Sequence, residues 1–202
     1  MSIKNKKFNE GFTLIEIMIA MTLFTAIMIL GTGAVLQTSA VHKKAQSMRS
    51  VMDNLNFIME DMARNLRLGS SYHCFATGEG NPVLTEDPKD CTDGSPIISF
   101  ESVTGLPQDL NDQIVYSIIP NLTKPSIYTI YKSKNGGNDF VPITPDEVEI
   151  ELAKSGFTVI GSGPADTFQP RVTIRLVGTV TYKNLESKFN LETTVSQRLL
   201  DI

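Results

Sequence analysis

Glu16 is the residue whose surroundings most clearly require a chemical explanation. It is the only charged side chain between Phe12 and Val41. About 20 predominantly apolar residues span the core of a bilayer, so this run is long enough to form a membrane helix. A carboxylate inside such a helix costs about 2.5–3.5 kcal/mol on insertion scales, and carboxylates at such positions usually have a function. We therefore predict that Glu16 has a partner.

The segment before the apolar run is short and basic. It holds three lysines and one acid: Lys4, Lys6, Lys7 and Glu10. Short positive flanks tend to remain in the cytoplasm, which places the leader there and the chain after about residue 42 on the exported side. Basic residues after the run, within 43–49, weaken this rule, but a leader of eleven residues fits nowhere better than inside.

Three interpretations of the N-terminus compete. A secretory signal needs an apolar core of about 7–15 residues and a small-residue cleavage site; Thr38-Ser39-Ala40 could serve as that site, but the core before it is too long and contains Glu16. A plain signal anchor explains the length of the run but gives Glu16 no purpose. The third interpretation rests on a family resemblance.

The lysine-rich leader, Gly11, Phe12 and Glu16 resemble the processing signal of type IV pilins and of type II secretion pseudopilins. The resemblance implies that a prepilin peptidase cleaves between Gly11 and Phe12 and methylates the new amino group of Phe12. Gly11 suits this role because a residue without a Cβ allows close approach to the backbone. The resemblance also implies that Glu16 pairs with the N-terminal amine of a neighbouring subunit, since a buried charge is far less costly when paired. Snorkelling of Glu16 to the cytoplasmic interface is the alternative before assembly.

The same resemblance implies the partners and the location of the protein. The partners are the prepilin peptidase, other pilins or pseudopilins through the N-terminal helix, and an inner-membrane assembly platform. The expected location is the cytoplasmic (inner) membrane, crossed once, with the leader inside and the head outside, and later a filament. No proline lies near Gly33, where many major pilins have one, and this favours a minor subunit or a pseudopilin.

A seam of apolar residues continues the helix beyond the apolar run. The spacings alternate between four and three over Val41, Ala45, Met48, Met52, Leu55, Met59, Met62 and Leu66. This pattern predicts one helix over 12–68, with Gly69 as a C-terminal cap. The seam could pack against a second helix in a two-stranded coiled coil. Packing against the protein's own head is favoured, because methionine fills gaps but specifies partners poorly.

The segment 70–96 is rich in Gly, Pro and Asp and is interpreted as loop. It contains the only two cysteines, Cys74 and Cys91, and an even count on an exported domain predicts a disulfide. Two thiols and His73 fall short of a structural zinc site. No cofactor is expected; Ca²⁺ held by Asp87, Asp90 and Asp93 is the weaker alternative, since their spacing does not match an EF-hand.

The rest of the chain predicts strands. Alternation of apolar and polar residues marks strands near 114–118, 127–131, 148–152, 171–182 and 189–196, with turns at 135–138 and at Asn184. An antiparallel sheet with one wet face needs a cover on the other, and the helical seam supplies it. The expected fold is α+β and pilin-like, with the membrane-spanning half of a long N-terminal helix followed by a half that packs on the sheet.

The final run Phe189–Arg198 also resembles the last strand of minor pilins and J-type pseudopilins. The expected organisation is a leader at 1–11, a transmembrane and assembly helix at 12–41, an amphipathic helix at 42–69 and a β-rich head at 70–202. The chain is therefore expected to be a minor pilin or pseudopilin that initiates, caps or adapts a filament. The alternative is a static, membrane-anchored binding protein.

Two other classes find little support. Removal of the leader changes the net charge from −4 to −6, which disfavours nucleic-acid binding, because phosphate contacts need a basic surface. The only histidines are His42 and His73, and no nucleophile elbow, phosphate-binding loop or zinc-protease motif is present. The protein is therefore not expected to be an enzyme.

Overall fold

The structure is a computed structural model, which describes residues 11–75, 87–106, 109–163, 168–182 and 185–198. The chain divides into two units, Met1–Gln46 and Ser47–Ile202. The leader lysines and Glu10 lie outside the described residues. So do Asn184 and the predicted loop residues at 76–86.

One helix, α1, runs over Leu14–Leu68, close to the predicted 12–68. In the first unit its large apolar side chains are exposed. In the second unit one face is buried, and its buried residues are Val51, Leu55, Ile58, Met59, Met62 and Leu66. By length and composition α1 is the one helix of the described residues that could cross a membrane.

Strands follow the helix in the described part of the chain. They are β1 (Ser70–Phe75), β2 (Cys91–Ser95), β3 (Ile97–Glu101), β4 (Ile114–Pro120), β5 (Tyr128–Ser133), β6 (Val141–Pro142), β7 (Val148–Ile150), β8 (Gly156–Ile160), β9 (Arg171–Tyr182) and β10 (Leu185–Ser196), with short 3-10 helices at Leu110–Asp112 and Leu152–Lys154. All pairs between these strands are antiparallel. The architecture is α+β and pilin-like, as predicted.

The sheet is organised around β9. On one side β9 pairs along its whole length with β10, through a hairpin that aligns Tyr182 with Leu185. On the other side it pairs first with β8 and then with β7, so these two short strands form one interrupted strand. Ser155 bridges the interruption: its hydroxyl accepts from the Val177 N–H at 2.9 Å and donates to the Val177 carbonyl at 3.0 Å.

The rest of the sheet branches from the interrupted strand. The order is β1-β3-β4-β5-β7-β9-β8-β2, so β1 and β2 are the two ends of the path. The predicted strands at 114–118, 127–131, 171–182 and 189–196 are confirmed. The strand predicted at 148–152 ends at Ile150, because Leu152–Lys154 forms a 3-10 helix. The interpretation of 70–96 as loop is wrong where β1 and β2 lie. β1 buries Tyr72, Cys74 and Phe75, whereas β2 is mostly exposed and is held by its pairing with β8 and by a disulfide.

The helix seam and the inner face of the sheet form one core. Leu55, Met62 and Leu66 are fully buried in it together with Ile98, Ile174 and Leu176 from the strands. Four aromatic rings cross this core in sequence, with ring centroids 6.0, 6.0 and 6.4 Å apart: Tyr72, Phe100, Tyr116 and Phe157. The predicted packing of the seam against the protein's own head is therefore confirmed from Met48 to Leu66.

The end of α1 differs from the prediction. Gly69 follows the last helical residue, but the residue with positive φ is Ser71, at 52°. The Tyr72 hydroxyl instead donates to the carbonyls of Leu66 and Gly69. An added Cβ at Gly69 would meet the Phe100 ring and lie 2.9 Å from the Glu101 carbonyl oxygen. Close packing therefore requires the glycine here, and a tyrosine hydroxyl satisfies the helix end.

Candidate functional site: the N-terminal signal and its surroundings

The residues predicted to carry function at the N-terminus lie at the start of α1. Gly11 and Phe12 precede the helix, and Phe12 is 79% exposed. Glu16 lies in the first helical turn. In a straight helix, residues four apart share a face, so Phe12, Glu16 and Ala20 follow one another along one side. The structure thus places the proposed cleavage point and the carboxylate within one turn of each other along the chain.

Thr13 caps this helix, and the sequence-based interpretation overlooked it. Its carbonyl accepts from the Glu16 N–H at 3.1 Å and from the Ile17 N–H at 3.3 Å. Its hydroxyl accepts from the Glu16 N–H at 3.4 Å. Ser or Thr three residues before Glu is the sequence signature of a capping box, so Thr13-Leu14-Ile15-Glu16 could have revealed the cap. Glu16 therefore has a second, local role, because an acid in the first turn opposes the positive end of the helix dipole.

The surroundings of Glu16 are apolar and small. A shallow groove on this helix face is lined by Phe12, Glu16, Ile17, Ala20, Met21 and Phe24. Ala20 leaves space directly beside the carboxylate, between two phenylalanines. In the described structure Glu16 is exposed and no salt bridge joins it to another described residue. The groove therefore presents one carboxylate on an otherwise apolar surface.

The predicted disulfide is confirmed. Cys74 and Cys91 are bonded, with their Cα atoms 6.0 Å apart, and neither is a free thiol. The bond joins β1 to β2, the two ends of the sheet path. Two backbone links accompany it, a parallel bridge between His73 and Lys89 and a hydrogen bond of 2.9 Å from the Lys89 N–H to the Tyr72 carbonyl. The disulfide thus fastens the ends of the path to each other.

The three aspartates considered for calcium do not converge. The Asp90 carboxylate accepts from the backbone N–H groups of Gly161 and Ser162, at 3.0 and 2.7 Å, and so it anchors the loop after β8. Asp93 is exposed within β2, and the Asp87 carbonyl contacts the His73 ring at 2.9 Å. In the described ranges no group of three or more His, Cys, Asp and Glu side chains is placed to hold a metal ion.

One polar cluster ties the helix to the sheet inside the head. Lys132 Nζ lies 2.6 Å from Asp61 Oδ2, and the Tyr116 hydroxyl donates to the same oxygen at 3.3 Å. Burial alone would raise the pKa of Asp61, but the hydrogen bond and charge of Lys132, with help from Tyr116 and Asn65, hold that pKa below its usual value. Burial and the Asp61 charge raise the pKa of Tyr116. The cluster is structural, because it joins α1 to β4 and β5.

A comparison with known protein families identifies the N-terminal segment. Residues 6–32 match the prokaryotic N-terminal methylation motif. No curated protein and no solved structure matches the chain. The chain thus carries the signal of type IV pilins and pseudopilins on a long apolar helix, ahead of a pilin-like α+β head. These two features together are those of a pilin-like or pseudopilin-like subunit, and they support anchoring in a membrane.

Proposed function

We propose that this protein is a minor pilin or pseudopilin of a type IV pilus or a type II secretion pseudopilus. Prepilin peptidase cleaves after Gly11 and methylates Phe12, and the N-terminal helix then enters the filament beside other pilins. The observation that carries the proposal is the methylation motif at residues 6–32, continuous with a helix whose first unit has exposed apolar side chains.

The proposed assembly step uses the groove around Glu16. Cleavage creates a positively charged amine at Phe12. The groove offers one carboxylate beside the small Ala20, and an incoming amine of a neighbouring subunit would satisfy that charge. An ionised group in an apolar medium is costly unless it is paired and hydrogen-bonded. The pairing therefore favours a helix that lies next to a processed neighbour over one that is surrounded by lipid.

Processing is tested by intact mass and N-terminal sequencing of membrane-extracted protein, with and without a co-expressed prepilin peptidase. We expect a chain that starts at methylated Phe12 only when the peptidase is present. A chain that still starts at Met1, while a control prepilin is cleaved, would contradict the proposal and favour the static membrane anchor. A chain cleaved after Ala40 would indicate a secreted domain instead.

Assembly is tested with two variants at the same helix terminus. Glu16→Gln removes the charge and keeps the shape of the side chain, and Thr13→Val removes the capping hydroxyl and keeps the charge. We expect both to be cleaved, but only Glu16→Gln to lose incorporation into sheared filaments, by about tenfold or more if pairing contributes at least 1.4 kcal/mol. Equal loss in the two variants would mean that Glu16 acts only through the helix cap.

A further inference from the structure

Strand β10 forms a long free edge of the sheet in the described part of the chain. It pairs with β9 alone and without a register shift. Free edges can pair with other chains, and native proteins usually protect them by a very short strand, a proline or a bulge. β6 is protected in this way, since it consists of Val141 and Pro142. β10 has twelve residues, no proline and no bulge, so its edge is unprotected.

The hydrogen bonds just after β10 show which residues face the free edge. Along an antiparallel strand, successive residues direct their backbone groups to opposite sides. The Gln197 N–H donates to the Pro170 carbonyl at 2.9 Å, on the β9 side, and the Arg198 N–H donates to the Arg67 carbonyl at 2.8 Å, on the other side. By this alternation the even-numbered residues of the strand face the free edge: Glu186, Lys188, Asn190, Glu192, Thr194 and Ser196. No backbone hydrogen bond joins them to another described element on that side.

The free edge leads into a groove that contains arginines. We call it the arginine groove, and it is lined by one face of α1 and by the residue that follows β10 and Gln197: Glu60, Ala63, Arg64, Arg67, Leu68 and Arg198. Three of the six arginines of the chain therefore lie at one end of β10, although the chain has a net charge of −4. No described carboxylate forms a salt bridge with Arg67 or Arg198. The planar fork of arginine matches a carboxylate, so the groove suits an acidic partner.

We propose that the free edge of β10 and the arginine groove bind an extended acidic segment of another protein, which adds to the sheet as a further strand. In such complexes main-chain hydrogen bonds supply the affinity and side chains supply the specificity. Antiparallel pairs are the more common kind, and a strand that runs antiparallel to β10 begins at the Ser196 end. Its acidic residues therefore belong at its N-terminal end, beside Arg67 and Arg198.

A second copy of this chain fits the edge less well. Two β10 strands that pair antiparallel in one continuous sheet are related by a two-fold axis perpendicular to the sheet. That axis turns the head segments of the two α1 helices in opposite directions. Under the proposed function, the subunits of one membrane or filament point the same way, so the partner is a different chain. Only this step rests on the proposed function.

The test uses the full, unprocessed chain in detergent and two labelled peptides of the length of β10. Both alternate threonine and valine, both have blocked ends, and both carry the same number of glutamates, placed at the N-terminal end in one and at the C-terminal end in the other. Fluorescence anisotropy measures binding. We expect the peptide with N-terminal glutamates to bind about tenfold more tightly, the gain expected of one charge-assisted hydrogen bond. Because the two peptides have equal charge, a general attraction to arginine does not produce this difference.

Variants separate the edge from the groove. Asn190→Pro removes an outward N–H, and proline is tolerated on edge strands where the N–H faces solvent. It should abolish binding of both peptides and leave the urea midpoint nearly unchanged. Arg67→Gln combined with Arg198→Gln should remove the preference between the peptides. Arg49→Gln is the control, because Arg49 is exposed on the same helix outside the groove, and it should keep the preference.

Hydrogen exchange gives a readout in the natural chain that does not depend on the folding of any variant. The bound peptide should slow exchange of the outward amides of Lys188, Asn190 and Glu192. Exchange at the neighbouring residues Phe189 and Leu191 should change less, because they pair with β9 already.

Four results would overturn the proposal. Two are the absence of peptide binding and an affinity for the peptide with C-terminal glutamates that equals or exceeds the other. A third is a dimer of the chain that Asn190→Pro dissociates, which would assign the edge to a second copy. The fourth is binding that appears only after residues 199–202 are replaced by glycine and serine, which would mean that the chain's own end covers the groove. Cleavage after Gly11 is measured separately, so failure here leaves the proposed function standing.

Discussion

The link between Lys132 and Asp61 makes a quantitative prediction about how the head holds its helix. The two charged atoms are 2.6 Å apart, and the side chains are 13% and 39% exposed. Exposed ion pairs contribute about 0.2–1 kcal/mol, whereas removing one partner of a buried pair costs about 3–5 kcal/mol. This pair is intermediate, so Lys132→Met should lower the free energy of unfolding by about 2 kcal/mol. The methionine keeps most of the packing of the lysine stem.

The matched control is the other ion pair of the same helix. Arg64 and Glu60 lie 3.4 Å apart, with side chains 70% and 72% exposed. Arg64→Met should therefore change the free energy of unfolding by less than about 0.5 kcal/mol. Both variants are compared by urea unfolding of the full chain in detergent. Tyrosine signals serve as the probe, because the chain contains no tryptophan.

The pH dependence gives an independent check of the same link. The pKa of Asp61 is lowered in the folded protein from its ordinary value of 3.8. Its contribution to stability is therefore complete above pH 3.8 and is lost as the pH falls toward the folded-state pKa. Lys132→Met should weaken this acid-dependent loss. Our reasoning would be refuted if Lys132→Met cost no more than Arg64→Met, or if the two chains lost stability identically between pH 5 and 2.

Two further predictions concern the closure and the centre of the sheet. Reduction of the Cys74–Cys91 bond, whose residues are 17 apart in sequence, should lower the free energy of unfolding by about 3 kcal/mol in the chain-entropy model. An unfolding midpoint that reductant does not change would show that the two ends of the sheet path stay together without the bond. Gly178→Ala should lower the free energy of unfolding by more than about 2 kcal/mol, because the new Cβ would meet the Glu149 carbonyl oxygen and lie 2.9 Å from Phe189 Cζ. A soluble variant with an unchanged urea midpoint would contradict the close approach of β7 to β9.

The helix was predictable because its sequence pattern and its packing obey the same geometry. The part of the seam from Met48 to Leu66 packs against the core of the head, as expected. Val41 and Ala45 follow the same spacing but are exposed in the first unit, since periodicity does not reveal where a packing partner begins. Ile58 was missed because a helix that packs on a sheet buries a wider stripe than the two-position seam of a coiled coil.

The strands that were predicted and the strands that were missed differ in whether their sequence alternates apolar and polar residues. β9 and β10 alternate apolar and polar residues, and this alternation marks them in the sequence. β1 and β2 were missed for different reasons. The buried residues of β1, Tyr72, Cys74 and Phe75, do not alternate strictly with polar ones, and β2 is mostly exposed, so that chain pairing and the Cys74–Cys91 bond define it. At the candidate sites, Glu16 was identifiable because a lone charge in an apolar run is a local signal. The Lys132–Asp61 link was not, because it depends on how α1 packs against β5.

Under the proposed function, Glu16 is the residue that distinguishes the membrane from the filament. The apolar side chains of the first unit are exposed in the isolated chain, and either lipid or neighbouring helices would cover them at similar free energy. Such side chains therefore hardly bias the helix toward one environment. A carboxylate does, because lipid leaves it unpaired while a processed neighbour supplies an amine. Since Thr13 already satisfies the backbone at this helix end, the charge of Glu16 remains available for that pairing, and this is why Glu16→Gln rather than Thr13→Val should impair assembly.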